Sequence, residues 1–160
     1  MTDSQQQSQR SLDRRTQDPS TNLGVFIEDL FNALDKAMAR EVAPHGITGL
    51  EYSLLWHCLE GECTATQLAQ VLPVDGSRIS RIVTAMVDKG FLRRRRLRSD
   101  RRIVMLRLTE EGMELTSGIS ENMKRYYSML TEDIGEEEMR VFESVTSRIV
   151  ANHAAMQGPE

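Results

Sequence analysis

Aromatic residues and cysteines are scarce in this chain of 160 residues, which has four Phe, three Tyr, one Trp and two Cys. So few rings argue against a protein that binds single-stranded nucleic acid by stacking bases on aromatic side chains. The two cysteines, Cys58 and Cys63, lie too close in sequence to cross-link a fold, and we expect reduced thiols. The chain has neither a run of roughly 18 apolar residues nor an apolar signal core, so we expect a cytoplasmic protein without a membrane segment.

Sequence motifs of common enzyme families are also absent. The chain contains no Walker loop, no G-x-G-x-x-G, no H-E-x-x-H, no nucleophile elbow and no C-x-x-C. Its three histidines, His45, His57 and His153, are scattered along the sequence. His57, Cys58 and Cys63 lie around one predicted helix end, but they lack a fourth ligand at a suitable spacing. We therefore expect no enzyme, no cofactor and no metal site.

Positive charge is concentrated in one stretch of an otherwise acidic chain. The formal net charge is −4, yet residues 77–107 hold eleven of the twenty Lys and Arg residues and two of the twenty-four acidic residues. This stretch therefore has a charge of +9, and the remainder has a charge of −13. A local positive patch favours a polyanionic partner, because neutralising phosphates releases their counterions whatever the global charge. The alternative is a solvated basic hairpin without a partner.

Capping motifs and apolar periodicity predict a polar, disordered arm over residues 1–19, followed by four helices. The helices are expected from Thr21 to about Val42, from Thr48 to before Gly61, from Thr64 to Pro73, and from Asp75 to Gly90. The second and third helices begin with the capping boxes Thr48-x-x-Glu51 and Thr64-x-x-Gln67. The third helix is expected to bury its apolar side chains, which are Leu68, Ala69, Val71 and Leu72.

The fourth helix is predicted to have one apolar face and one polar, basic face. The second face carries side chains that suit base edges and phosphates, namely Ser77, Arg78, Ser80, Arg81 and Thr84. Two strand-like runs follow within residues 91–108, which contain eight arginines, and they predict a two-stranded wing. Residues 93–96 are all arginines on alternating faces, so we expect about half of them to reach phosphate and the others to be solvated or paired with acidic residues.

Two long amphipathic helices are predicted after the wing. Thr109 is followed by two glutamates and Gly135 by three, and acidic residues are favourable at a helix start. Together with the first helix, these helices have more apolar surface than a compact winged domain needs. We therefore expect a second copy of the chain to cover that surface.

This order of elements resembles the MarR family of winged helix-turn-helix regulators over roughly residues 21–155. The sequences that carry the resemblance are SRISRIVTAMVDKGFLRR at residues 77–94 and SDRRIVMLRLTEEG at residues 99–112. The most specific feature is the wing motif D-x-R, Asp100-Arg101-Arg102, which precedes a strand and the helix start LTEEG. The resemblance implies a mainly α fold with a small β wing. The implied architecture is a single domain over residues 20–155. It would have a winged helix-turn-helix lobe at 48–108 and dimerisation helices at 20–43 and 109–155.

The resemblance also implies a homodimeric transcriptional regulator, often a repressor, that binds a double-stranded, pseudo-palindromic DNA operator. In this family a small aromatic or lipophilic effector often relieves repression. The fourth helix would enter the major groove, Arg102 would reach the minor groove, and Asp100 would orient a wing arginine by an ion pair. Asp100 also suits a simple turn. The expected DNA contacts are Ser77, Arg78, Ser80, Arg81, Thr84, Arg98, Asp100, Arg101 and Arg102.

The residues themselves contain no ligand signature. An effector pocket could be lined by His45, Tyr52, Trp56 and His57, although Tyr52 and Trp56 also fit a place in the core.

Two other functions stay open at this point. One is a winged-helix module that binds protein instead of DNA, and the other is a thiol redox sensor that uses Cys58 and Cys63. The family's peroxide sensors have a cysteine near the start of helix 1, where this chain has none. No adjacent cation is evident that would stabilise a thiolate at Cys58 or Cys63, which favours inert thiols.

Overall fold

The computed structural model describes residues 19–97, 99–100 and 102–157. The arm predicted over residues 1–19 therefore lies outside the described residues except for Pro19, which begins the first helix. Arg98 and Arg101, both predicted to contact DNA, also lie outside the described residues.

The described residues form six α-helices, one short 3-10 helix and three β-strands. The α-helices are α1 (Pro19–Val42), α2 (Gly49–His57), α3 (Ala65–Val71), α4 (Gly76–Asp88), α5 (Glu110–Leu130) and α6 (Glu136–Gln157), and the 3-10 helix is Ala43–His45. The strands are β1 (Cys63–Thr64), β2 (Leu92–Arg96) and β3 (Val104–Leu108). The predicted fold class, mainly α with a small β wing, is confirmed.

The predicted capping boxes start α2 and α3. In the first box, the Thr48 hydroxyl accepts from the Glu51 N–H at 3.2 Å and the Glu51 carboxylate accepts from the Thr48 N–H at 2.7 Å. In the second box, the equivalent bonds between Thr64 and Gln67 are 3.2 and 2.8 Å long. Each box satisfies two backbone donors that a helix start would otherwise leave without a partner.

The core of the first compact unit, which ends at Met123, forms where the inner faces of its elements meet. Its fully buried side chains include Leu54, Leu55, Leu68, Ile79, Met86, Leu106 and Ile119. Two predicted core positions were wrong: Val71 at the end of α3 is 57% exposed and Trp56 in α2 is 47% exposed. Val71 is the last residue of a seven-residue helix, so apolar spacing there did not fix which way the side chain points.

The wing belongs to a three-stranded antiparallel sheet in which β3 lies between β1 and β2. Leu92 pairs with Leu108 and Arg94 pairs with Leu106 across β2 and β3, and Cys63 pairs with Leu106 across β1 and β3. The sequence predicted only the two strands of the wing and no strand at Cys63. The third strand was missed because two residues are too few to show an alternating pattern.

Hydrogen bonds and one close backbone approach join α4, β2, β3 and α5 at the base of the wing. Gly90 ends α4 with a positive φ of 81°. The Thr109 N–H donates to the Phe91 carbonyl at 3.1 Å, and the Thr109 hydroxyl donates to the Gly90 carbonyl at 2.6 Å. The same hydroxyl accepts from the Gly112 N–H at 3.0 Å and so caps α5 as predicted. A Cβ on Gly112 would lie 2.0 Å from the Phe91 carbonyl oxygen, so only glycine fits there.

The second compact unit begins at Lys124 and contains the end of α5 and all of α6. Glutamates at positions 136, 137 and 138 form the first turn of α6, and the Glu138 carboxylate accepts from the Gly135 N–H at 2.9 Å. Acidic side chains at this end suit the helix dipole. Large apolar side chains of this unit are exposed, and they include Met129, Leu130, Val141, Phe142, Val145, Val150 and Met156.

We predict that Gly112→Ala destabilises the fold strongly. The added methyl would collide with the Phe91 backbone, and overpacking of this kind costs at least about 2 kcal/mol. Denaturant unfolding measures the loss. The matched control is Gly118→Ala in the same helix, where a Cβ would meet no atom within 4 Å. That control should stabilise the protein by about 0.5–1 kcal/mol, because alanine is the better helix former. Equal effects of the two substitutions would contradict the close approach at Gly112.

Candidate nucleic-acid interface

The outer face of α4 carries the five side chains that the sequence predicted as contacts on this helix. Exposed on it are Ser77, Arg78, Ser80, Arg81 and Thr84. Buried on the opposite face are Ile79, Val83 and Met86. The predicted division of this helix into a polar, basic face and an apolar face is what the structure has.

Asp75 fixes the start of α4. Its carboxylate accepts from the Ser77 hydroxyl at 2.5 Å and from the Arg78 N–H at 2.8 Å. These two bonds hold the pKa of Asp75 below its usual range, and the bond from Ser77 has the larger effect. The positive charge of Arg81 acts in the same direction. A charged carboxylate at this end also suits the helix dipole, so the first turn, which presents Arg78, is well anchored.

The three hydroxyl groups of this face already donate hydrogen bonds near α4 or within it. Ser77 donates to Asp75, Ser80 donates to the Gly76 carbonyl at 2.9 Å, and Thr84 donates to the Ser80 carbonyl at 3.0 Å. The donors that this face offers a partner therefore come mainly from its two arginines. Guanidinium groups suit both base edges and phosphates.

The wing contacts this helix through Arg94. Its Nη2 donates to the Thr84 hydroxyl oxygen at 2.7 Å, which places a β2 arginine beside the exposed face of α4. Arg95 points elsewhere and pairs with Glu62, the residue before β1, with its Nε 3.1 Å from Glu62 Oε1. The expectation that some of the four consecutive arginines pair with acidic residues is met by Arg95.

The ion pair with Arg95 lowers the pKa of Glu62, and the positive charges of Arg107 and Arg93 act in the same direction. The same pair raises the pKa of Arg95. Within the described residues, Glu62 is the acidic residue that forms an ion pair with a wing arginine. It directly precedes Cys63, the first residue of β1. The pair therefore joins β1 to β2, the two strands that lie on either side of β3.

A turn closes the wing tip. The Asp100 carboxylate accepts from the Arg102 backbone N–H at 2.9 Å, and the Asp100 carbonyl accepts from the Ile103 N–H at 3.1 Å. This arrangement is the turn that Ser99-Asp100 also allowed from the sequence. The ion pair between Asp100 and a wing arginine stays a prediction, because Arg98 and Arg101 lie outside the described residues. Arg102 is exposed at the tip.

The four residues considered for an effector pocket have different surroundings. His45 is exposed, Tyr52 is buried, and the rings of Trp56 and His57 meet edge to face with centroids 5.1 Å apart. Tyr52 thus belongs to the core as expected, whereas Trp56 does not. Neighbouring residues on α2 point to different sides, so the sequence position alone could not bring the four together.

A cavity lies at the base of the wing, where no residue pattern in the sequence predicted one. Its volume is about 580 Å³. It is lined by Arg93, Arg107, Leu108, Thr109, Glu110, Met113 and Glu114. None of the four predicted effector residues lines it. Its walls come from β3 and the first turns of α5, which follow each other directly in sequence, and from β2, which strand pairing brings beside β3.

Other kinds of site find no support in the described residues. No three His, Cys, Asp or Glu side chains there form a group that could hold a metal ion. A membrane-spanning helix is likewise not found in that part of the chain.

The helix α4 has a buried apolar face and an exposed basic face, and a basic two-stranded ribbon follows it on a helical core. These features define the winged helix-turn-helix class. Comparison with known proteins agrees with this class. A family model described as the MarR family matches residues 45–103. The chain is 27% identical over 100 residues to the uncharacterised regulator YdgJ of Bacillus subtilis, a match that spans 62% of this chain and only 60% of YdgJ. It is 25% identical over 134 residues to the repressor MdtR of the same organism, with 81% and 84% covered.

Solved structures agree in fold. A MarR variant from Escherichia coli in complex with operator DNA has a TM-score of 0.68 at 23% identity, covering 79% of this chain and 92% of that one. The organohalide-sensing regulator RdhR in its 2,4-dichlorophenol-bound form has a TM-score of 0.69 at 24% identity, covering 86% and 82%. The resemblance to MarR family transcriptional regulators that the sequence predicted is thus confirmed by the family model over residues 45–103 and by the fold.

We predict that Glu62→Gln lowers stability at neutral pH and that the loss shrinks in acid. The folded pKa of Glu62 is depressed by Arg95, so its stabilisation is complete above the unfolded pKa of about 4.3. It disappears as the pH falls through the lower folded pKa. Denaturant unfolding of both proteins at neutral and acid pH measures the difference. In an Arg95→Gln background, Glu62→Gln should have little effect, and the same pH dependence there would contradict the pairing.

Proposed function

We propose that this protein binds a double-stranded DNA operator through α4 and the wing. The observation that carries the proposal is the contact between Arg94 and Thr84, which sets the arginine-rich ribbon beside the exposed basic face of the helix. Residues 77–107 have a charge of +9 in a chain whose net charge is −4. Such a local field attracts a phosphate backbone.

In the proposed complex the two elements have different tasks. Arg78 and Arg81 of α4 lie in the major groove, where a guanidinium can bind a guanine edge in bidentate fashion or a flanking phosphate. Arg102 at the wing tip enters the minor groove, which attracts arginine most strongly where it is narrow. The other proposed contacts are Ser77, Ser80, Thr84, Arg98, Asp100 and Arg101. The E. coli MarR structure that contains operator DNA supports this mode for the fold.

We predict that Arg102→Ala and Arg81→Ala weaken DNA binding in different ways. Arg102→Ala should reduce affinity for many sequences and lower the slope of log affinity against log salt by about one per subunit. Arg81→Ala should cost about 1–3 kcal/mol and relax the preference at one operator position. Fluorescence anisotropy with a duplex selected from a random pool, measured at several salt concentrations, separates the two effects.

The matched control for charge is Arg148→Ala, because Arg148 lies on α6 outside the basic stretch. It should leave both the affinity and the salt slope unchanged. If Arg102→Ala and Arg81→Ala also bind with wild-type affinity, the assignment to DNA is wrong. The protein-binding winged helix then becomes the better proposal.

We further propose that the protein is a homodimer, which the large apolar side chains on its terminal helices support. Exposed on α1 are Leu23, Phe26, Ile27, Leu30 and Phe31. Exposed on α6 are Val141, Phe142, Val145, Val150 and Met156. A second copy of the chain is the simplest partner that covers such surfaces. Two-fold symmetry then requires a pseudo-palindromic operator with half-sites about 10 bp apart.

We predict that Val145→Asp weakens the dimer, because it buries an unpaired charge in an apolar interface. Light scattering at micromolar concentration should give about twice the chain mass of 18.2 kDa for the wild type and a lower mass for the variant. Ser147→Asp adds the same charge two positions along α6, on the other side of the helix. It should leave the dimer intact. A monomeric wild type would overturn the proposed assembly.

Repression relieved by a small effector is the last part of the proposal. MdtR is named a repressor, and RdhR is named an organohalide sensor with a structure that contains 2,4-dichlorophenol. We propose that a small aromatic or lipophilic effector binds this protein and weakens its binding to the operator, and that the protein is cytoplasmic. Repeating the anisotropy titration with 2,4-dichlorophenol and related phenols tests this part. Because coupling is reciprocal, an effector that binds without changing DNA affinity would exclude the regulatory role.

A further inference from the structure

The two cysteines, which the sequence analysis favoured as inert thiols, contact each other. Cys58 is the residue after α2 and Cys63 is the first residue of β1, and their sulfur atoms are 2.9 Å apart. Both are free thiols in this structure. Bonded sulfurs are separated by about 2.05 Å, so less than one ångström of movement separates this contact from a disulfide.

The backbone holds each cysteine in its place independently of the other. The Cys58 N–H donates to the Leu55 carbonyl at 2.9 Å, which fixes Cys58 to the last turn of α2. Cys63 pairs with Leu106 of β3 and is therefore part of the sheet. The contact between the sulfurs thus joins the end of a core helix to the edge strand of the wing sheet.

The two thiols differ in exposure and in acidity. Cys58 is buried, with 2% of its surface exposed, whereas Cys63 is partly exposed. Either thiol can donate the hydrogen bond between the two sulfurs. A bond donated by Cys58 lowers the pKa of Cys63, and the same bond together with burial raises the pKa of Cys58. The stabilising group that the sequence did not reveal is a neighbouring S–H donor and not a cation. Cys63 is therefore the more accessible thiol and the one that loses its proton more readily.

We propose that Cys58 and Cys63 form a redox-active dithiol that a hydroperoxide converts into a disulfide within one chain. The Cys63 thiolate attacks the terminal peroxide oxygen, the O–O bond breaks, and Cys63 becomes a sulfenic acid. With hydrogen peroxide the departing hydroxide takes up a proton and leaves as water. The Cys58 sulfur then attacks the Cys63 sulfur, the S–O bond breaks, and a second water leaves with the Cys58 proton. Two thiols are oxidised and one peroxide is reduced to two waters.

The test uses the reduced full-length protein and hydrogen peroxide. The intact mass should fall by two hydrogen atoms, and dithiothreitol should restore it. Glutamyl endopeptidase cleaves after Glu60 or Glu62 and so separates the two cysteines. The two peptides should remain joined after oxidation and separate after reduction. This mapping needs no substitution and so does not depend on how any variant folds.

Two variants assign the roles of the thiols. In Cys58→Ser the reaction should stop at a Cys63 sulfenic acid, which dimedone traps. In Cys63→Ser the remaining buried thiol should react with peroxide at least about tenfold more slowly than Cys63 does. Circular dichroism confirms that each variant is folded. The proposal is overturned if both thiols of the wild type stay free, if Cys58 reacts first, or if the only product is a disulfide between two chains.

Discussion

The backbone junction at the base of the wing is the constraint on which the rest of the site depends. Thr109 binds the carbonyls of Gly90 and Phe91 with its hydroxyl and its N–H, and the same hydroxyl caps α5 through Gly112. The backbone and side chain of one residue thereby join the end of α4, the start of β2, the end of β3 and the start of α5. The glycine at 112 lets the two backbones meet at a distance that no side chain allows. This junction holds the base of the wing at the end of α4, and the contact between Arg94 and Thr84 holds β2 beside the same helix.

The second constraint is electrostatic. Consecutive arginines on one strand repel each other, and a strand so charged is stable only where some of the charge is matched or hydrogen-bonded. Here Glu62 binds Arg95 and Thr84 binds Arg94, so two of the four receive partners from elements on different sides. The remaining positive charge is directed outward. The contact between Arg94 and Thr84 therefore both reduces the cost of the crowded arginines and positions the ribbon beside α4.

The elements that could be predicted from the sequence are those whose signals are local. The boxes at Thr48 and Thr64 lie within four residues, and the apolar stripe of α4 repeats over three turns, so both were recognised. The predictions that failed concern features that depend on residues distant in sequence. Strand β1 exists because Leu106 pairs with Cys63, and the exposure of Trp56 depends on which side of α2 the neighbouring elements cover. The contact between the cysteines was missed for the same reason, since a spacing of five residues does not show whether a helix end and a strand will face each other.

The hydrogen bond from Arg94 to Thr84 has a consequence for how such a protein diverges over evolutionary time. Thr84 lies on the helix and Arg94 on the ribbon, so a substitution of Thr84 by an apolar residue frees a guanidinium on the other element. A lineage that alters Thr84 to favour a new target also changes the donors that Arg94 of the ribbon has free for a partner. We therefore expect that substitutions at Thr84 that change target preference are accompanied by substitutions at Arg94.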